Sequence, residues 1–246
     1  FKNKKKFLFC NSDAKQFIGK LLTKSKKVKS LDKKKWLNYC YKTVKSFPHL
    51  EKKTHDDANG YINSYNFIEK FSKHLKKDSC IVTDMGTSFT CTMQSMSLKK
   101  NQRLFTSSGL AAMGWGIPGA IGSYFGDKNK KIICIAGDGG AMFNIQELQT
   151  IFHHKIPAKI FVLFNNGYLT MKLMQIKNFK KYVGSDPISG ISCPDFTKIG
   201  KAFGIKSLKI SNSKNLESKI KKVLDYKGPI VCQVEMPSLQ PLIPRL

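Results

Sequence analysis

Arginine is almost missing from this sequence. Its 246 residues carry 43 basic side chains, yet only Arg103 and Arg245 are arginines. Base and phosphate recognition favours the planar arginine fork, so a net charge of +27 built from lysine reads as solvated faces rather than a nucleic-acid stripe. Acids are scarce too, 16 in all, which makes each one at a strand end informative. No two of the seven cysteines form a Cys-x-x-Cys pair, which excludes a disulfide mini-scaffold and argues against a cysteine zinc site. Their odd, scattered set fits a reduced, cytoplasmic protein. Charge is absent altogether from Leu104 to Gly126, a stretch long enough to cross a bilayer. Its six glycines, three serines and Pro118 point instead to a buried segment shaped for close backbone approach. No membrane anchor is expected. Phe1, followed by charge rather than a leader, leads us to expect a piece of a longer chain.

What is present is organised in two parts. Residues 1–60 hold 17 lysines against five acids, whereas residues 101–170 hold six basic against three acidic residues. Apolar clusters at Phe7–Phe9, Phe17–Leu22 and Trp36–Val44 predict one strand and two helices with too little apolar surface for a core. We read residues 1–58 as the tail of a preceding central domain plus a linker, and residues 59–246 as a C-terminal domain. There Tyr65, Ile68, Phe71 and Leu75 recur at helical spacing. Cys80–Thr83, Ile132–Ala136 and Lys159–Phe164 are short apolar strands, the last two apolar on both faces as central parallel strands are. Met142, Ile145, Leu148 and Phe152 mark one face of a helix between them. A helix over Phe196–Phe203, a strand over Ser207–Ile210, a helix through Leu216–Leu224 and a strand over Ile230–Val234 follow. Such alternation predicts an α/β fold: a doubly wound, mostly parallel sheet with helices on both faces.

In such sheets ligands bind outside the carboxyl ends of the strands, and two strand ends stand out. Ile132–Ala136 runs into Gly137-Asp138-Gly139-Gly140 and a helix, where glycines and free amides favour a phosphate. Asp138 adds a hard carboxylate oxygen suited to Mg²⁺. The next strand ends in Asn165-Asn166-Gly167-Tyr168, also rich in hard oxygens. Adjacent strands lie roughly 5 Å apart, so Asp138 and Asn166 could share one cation. Taken singly, each motif is an ordinary helix cap or turn; at successive strand ends they make a metal–diphosphate site. Gly114-Trp115-Gly116-Ile117-Pro118-Gly119 matches the dinucleotide fingerprint, but no strand precedes it.

Gly137-Asp138-Gly139 followed after 25 residues by Asn165-Asn166 resembles the thiamin-diphosphate motif of acetolactate synthase, pyruvate decarboxylase and their relatives. The likeness extends over most of residues 60–246, and Asn144-Ile145-Gln146-Glu147-Leu148 is close to the acetolactate-synthase version. The resemblance implies the thiamin-diphosphate-binding fold, with Asp138, the Asn166 side chain and the Tyr168 carbonyl holding Mg²⁺ on the diphosphate. It implies diphosphate contacts from Gly139, Gly140, Thr87 and Ser88, and pyrimidine contacts from the backbone at Ala111 and Met113. The Met113 side chain would prop the cofactor in its bent form. It further implies a 2-oxo acid substrate, decarboxylated or carboligated, and a homodimer or tetramer with its active site across a subunit interface. The activating glutamate would come from an N-terminal pyrimidine-binding domain, which nothing in this sequence resembles. Thr170 departs from the family, which usually has Gly there. FAD, the substrate and the acceptor are not decided by these residues. The alternatives are a homologue that binds thiamin diphosphate without catalysis and, resting only on the charge, a basic nucleic-acid-binding domain.

Overall fold

A computed structural model describes residues 9–27, 33–46 and 60–243. The chain divides into two compact units, Phe1–Pro48 and His49–Leu246. In the first, α1 (Ala14–Ser25) begins where the Asp13 carboxylate accepts from the amides of Lys15 and Gln16, an N-cap that satisfies otherwise orphaned donors. The second helix, α2 (Lys34–Ser46), carries a stacked Trp36–Tyr39 pair, centroids 5.6 Å apart. Neither helix buries a side chain, in keeping with the poverty of apolar residues there. Of the strand expected at Phe7–Phe9, residues 7 and 8 lie outside the described residues; Phe9 is exposed and in no regular element. Residues 47–59, the expected linker, also lie outside them.

The second unit is built on six parallel strands: β1 (Ser79–Thr83), β2 (Arg103–Phe105), β3 (Lys131–Gly137), β4 (Lys159–Phe164), β5 (Lys206–Ile210) and β6 (Ile230–Glu235). Their order is β2-β1-β3-β4-β6-β5. Strand residues alternate between faces, and both faces are apolar. Ile81, Ile133, Ile135, Phe161 and Leu163 join a core with α3 (Ser64–His74) and α10 (Leu216–Asp225). Val82, Cys134, Ile160 and Val162 join another with α5 (Gly116–Gly126), α7 (Glu147–His153) and α9 (Phe196–Ala202). Helices cover both faces, as a doubly wound sheet requires.

Three helices and a strand have no counterpart in the sequence reading. These are α4 (Thr87–Ser95), α5, α8 (Leu169–Phe179) and the three-residue β2. The single helix expected through Met142 to Phe152 is two, α6 (Asp138–Phe143) and α7. The chain breaks at Asn144, whose side-chain amide donates to the Gly114 carbonyl at 2.8 Å. Of the four marker residues only Leu148 is buried; Met142 and Phe152 are exposed. The glycine run does open α5 at Gly116, but β2 ends eleven residues earlier at Phe105, so no strand feeds it as the dinucleotide fingerprint demands.

Phe161, fully buried, holds Phe71 edge-on at 5.0 Å and Phe67 at 5.7 Å. Truncation there leaves a cavity that these rings cannot fill. Phe161→Ala is expected to lower the unfolding free energy by about 3–5 kcal/mol, read from the midpoint shift in urea denaturation. A loss below about 1 kcal/mol would show that this cluster is not the centre of the core.

Candidate functional site

The site forms where the chain reverses direction across the sheet. From β1 the connection runs outward to β2, whereas from β3 it runs the other way to β4. Loops leaving β1 and β3 therefore part, opening a crevice at their carboxyl ends, the usual place for a ligand in an open α/β sheet. A cavity of about 240 Å³ lies there. It is lined by Thr87, Ala111, Met113, Asp138, Gly139, Gly140 and Tyr168 among the expected residues, and by Gly86, Thr170 and Met171 among others.

Two buried carboxylates hold its walls. Asp84, the first residue after β1, accepts from the amides of Met85 at 2.7 Å and Gly114 at 3.1 Å. It thereby ties the β1 end to the turn that carries Ala111 and Met113 into α5. Burial raises the Asp84 pKa, and the amides of Met85, Gly114, Gly116 and Trp115 oppose that rise. The carboxylate also presses on α6: a Cβ at position 140 would stand 2.6 Å from Asp84 Oδ2. Only glycine fits there.

Asp138 opens α6 and is 1% exposed. Its Oδ1 accepts from the Gly139 amide at 2.8 Å. Its Oδ2 accepts from the amides of Asn165 (3.0 Å), Asn166 (2.5 Å) and Gly167 (3.2 Å). One side chain thus joins the end of β3 to the turn after β4. Burial pushes its pKa up to about 6 although these four amides favour the charged form, because desolvation penalises an anion more than neutral donors repay. Among the described residues no cationic side chain pairs with it.

The other expected residues divide. The Tyr168 ring covers Gly139 so closely that a Cβ there would strike it. The Tyr168 amide donates to Ser185 O at 2.8 Å, and its carbonyl accepts from the Lys172 amide at 2.9 Å. Asn166 adopts a left-handed backbone (φ 61), and its Oδ1 accepts from the Cys193 amide at 3.0 Å. Its side chain is therefore turned toward residue 193 and does not line the cavity. Ser88 is not brought to the wall either; it is fully buried, its hydroxyl donating to Met85 O at 2.9 Å. Sequence reasoning missed Asp84 as a positioning residue, although an acid directly at a strand end followed by Gly86 was the available signal. It also missed Cys193, whose thiol lies against Asp138; burial and then that carboxylate push its pKa up to about 12. Nothing in the sequence marks Cys193, 27 residues beyond Asn166. Asp186 anchors the loop behind Tyr168 through a buried ion pair with Lys172 at 2.6 Å.

Residues 84–234 match the family described as thiamine pyrophosphate enzyme, C-terminal TPP binding domain. The acetolactate synthase large subunit of Porphyra purpurea is 35% identical over 167 residues, covering 66% of this chain and 28% of that protein. Acetolactate synthase 1, chloroplastic, of Zea mays is 29% identical over 254 aligned positions, covering 100% and 39%. Acetolactate synthase isozyme 2 large subunit of Escherichia coli (strain K12) is 29% identical over 180 residues, covering 72% and 32%. The chain thus spans between about a quarter and two-fifths of the length of these relatives.

The raised Asp138 pKa has a definite sign. The folded state holds this proton up to about pH 6, whereas an unfolded aspartate releases it near 3.9. Between those values the folded form binds more protons, so stability falls as pH rises through the window. The drop ascribable to Asp138 is at most about 3 kcal/mol, two pKa units at 1.36 kcal/mol each. Urea unfolding of the metal-free protein at pH 4.5 and 7 is expected to show this decline, and Asp138→Asn to remove it. An identical pH slope in the variant would mean that the carboxylate is ionised throughout.

Proposed function

The chain belongs to the thiamine pyrophosphate enzymes, whose C-terminal TPP-binding domain it carries, and we propose that it anchors thiamin diphosphate through Mg²⁺ in an acetolactate-synthase-like enzyme acting on a 2-oxo acid. The observation that carries the reading is the Asp138 carboxylate bound to the amides of residues 165–167. Two sequence motifs thereby become one site beside a crevice.

The donor chemistry fits the group. Asp138 is a buried acid with no cation beside it among the described residues, and a divalent ion would hold it ionised. Asp138 Oδ1 and the Tyr168 carbonyl are hard oxygens of the kind Mg²⁺ prefers and would hold it; the Asn166 side-chain oxygen would join them on leaving the Cys193 amide it now accepts from. Gly139, Gly140 and Thr87 would meet the diphosphate, Gly140 being kept free of a side chain by Asp84. Ser88 would act from beneath, through the backbone of the first turn of α4. Ala111 and Met113, held by the Asp84–Gly114 bond, would meet the pyrimidine, with Met113 as the apolar prop. Bound thiamin diphosphate supplies a nucleophilic carbon and an electron sink for a 2-oxo acid, chemistry that belongs to the cofactor.

The rest of the active site we assign to a second surface. Leu110, next in sequence to the cavity residue Ala111, is 88% exposed, so apolar surface beside the crevice awaits cover. A pyrimidine-binding domain carrying the activating glutamate, contributed by another subunit of a homo-oligomer, would supply it. Among the described residues no helix is long and apolar enough to cross a membrane, and the compartment we propose is the reducing cytoplasm; the maize relative is by its name chloroplastic.

Calorimetry with thiamin diphosphate is expected to show Mg²⁺-dependent binding that Asp138→Ala weakens at least about 100-fold, as loss of a charged metal ligand with its hydrogen bonds would. Affinity should also fall below about pH 6, where protons compete with the metal for Asp138. Unchanged binding in the variant would sink the assignment. Residues 61–246 alone should bind weakly and turn over no 2-oxo acid, lacking the proposed glutamate; decarboxylation by that piece would show that the base lies within it.

A further inference from the structure

The amino ends of the strands hold a cavity of about 360 Å³, larger than the one at the carboxyl ends. Its walls are the entrances to β1, β3 and β4 and the segments that follow α3 and α10. Lysine dominates them: Lys76, Lys128, Lys130, Lys131, Lys159 and Lys227. The one acid in the lining, Asp225, is already paired with Lys76 at 3.3 Å. Lys128 rests its ammonium 5.9 Å above the Tyr124 and Phe125 rings. Among the described residues no carboxylate pairs with Lys130, Lys131, Lys159 or Lys227.

Helix C-termini bear partial negative charge and explain part of this. Each contributes about half a charge, so α3 and α10 together offset about one cation. A surplus of roughly four positive charges remains around one concave surface, unusual because like charges repel. Lys159 is the most telling of them. It is 7% exposed, and its Nζ donates to Pro157 O at 2.9 Å and Gly228 O at 2.8 Å and lies 5.9 Å from the centre of the Tyr226 ring, with no anion among these partners. Burial, and then Lys131, hold its pKa down to about 8. An anion seated against it would relieve both effects.

We propose that this cavity binds a compact, multiply charged oxyanion of the phosphate class. Enclosure between two helix ends suits a small ion better than a polymer, and lysines meet phosphate as point charges without needing the arginine fork. The inference is independent of the function assigned to the carboxyl ends.

The test is calorimetry of the full chain with sodium pyrophosphate in EDTA at low ionic strength. Saturable one-to-one binding that weakens with added salt is expected. Lys131→Ala and Lys227→Ala alter exposed residues, and each should weaken binding at least about fivefold, as loss of a charge-assisted contact does. Both should leave Mg²⁺-dependent thiamin diphosphate binding within twofold. Lys159→Met, which keeps the stem and drops the ammonium, should abolish pyrophosphate binding; if it fails to fold by circular dichroism, the two exposed variants decide. Orthophosphate as a second probe separates a free phosphate ion from a diphosphate-bearing molecule, since the source that fits binds more tightly. The proposal is overturned if no saturable binding occurs, if the lysine variants bind as the parent does, or if Asp138→Ala removes the binding instead.

Discussion

Everything at the carboxyl end of the sheet depends on how two buried carboxylates are satisfied. Asp84 and Asp138 each leave a parallel strand and enter a layer with little water, where an ionised group without partners is costly. Both find backbone amides rather than cations. Apart from that of Met85, the Asp84 amides belong to the turn into α5, and most of the Asp138 amides belong to the turn after β4. Each acid therefore ties its own strand to a loop far away in sequence. The crevice keeps its shape because moving any of these loops would leave a buried anion unsolvated.

That arrangement also explains the glycines of the Gly137–Gly140 stretch. Position 140 lies under Asp84, and position 139 under the Tyr168 ring. They hold the loops at a distance no side chain allows, so the stretch is steric in origin as much as it is suited to an anion.

Much of this was legible in the sequence, and what was not had physical reasons. The strands β3 and β4 are apolar on both faces, a pattern that only burial between two helix layers sustains, and they appear where expected. The meeting of Asp138 with the turn at residues 165–167 was legible because both stand at the ends of neighbouring strands. The helix α4, Thr87–Ser95, has neither charge nor apolar periodicity to announce it, and β2 is three residues long. The apolar residues of α8 mislead differently: Met171 and Met174 are partly exposed and line or flank the crevice instead of the core. The inward turn of Ser88, the approach of Cys193 to Asn166 and the gathering of lysines from four separate segments are tertiary events. No local pattern encodes them.

A parallel sheet also gives its two ends opposite poles. Helix amino ends gather where strands finish, and helix carboxyl ends where strands begin. The side chains follow: β3 and β4 both begin on lysine, Lys131 and Lys159, while Asp84 and Asp138 stand where β1 and β3 finish. Lys159 rests on carbonyls and Asp138 on amides. The sign of charge at each end is consequently not interchangeable. An ammonium at position 138 would face a ring of N–H groups, and a carboxylate at 159 would face carbonyl oxygens, like pole against like. The direction in which the backbone runs has already chosen which ion each end of the sheet can keep.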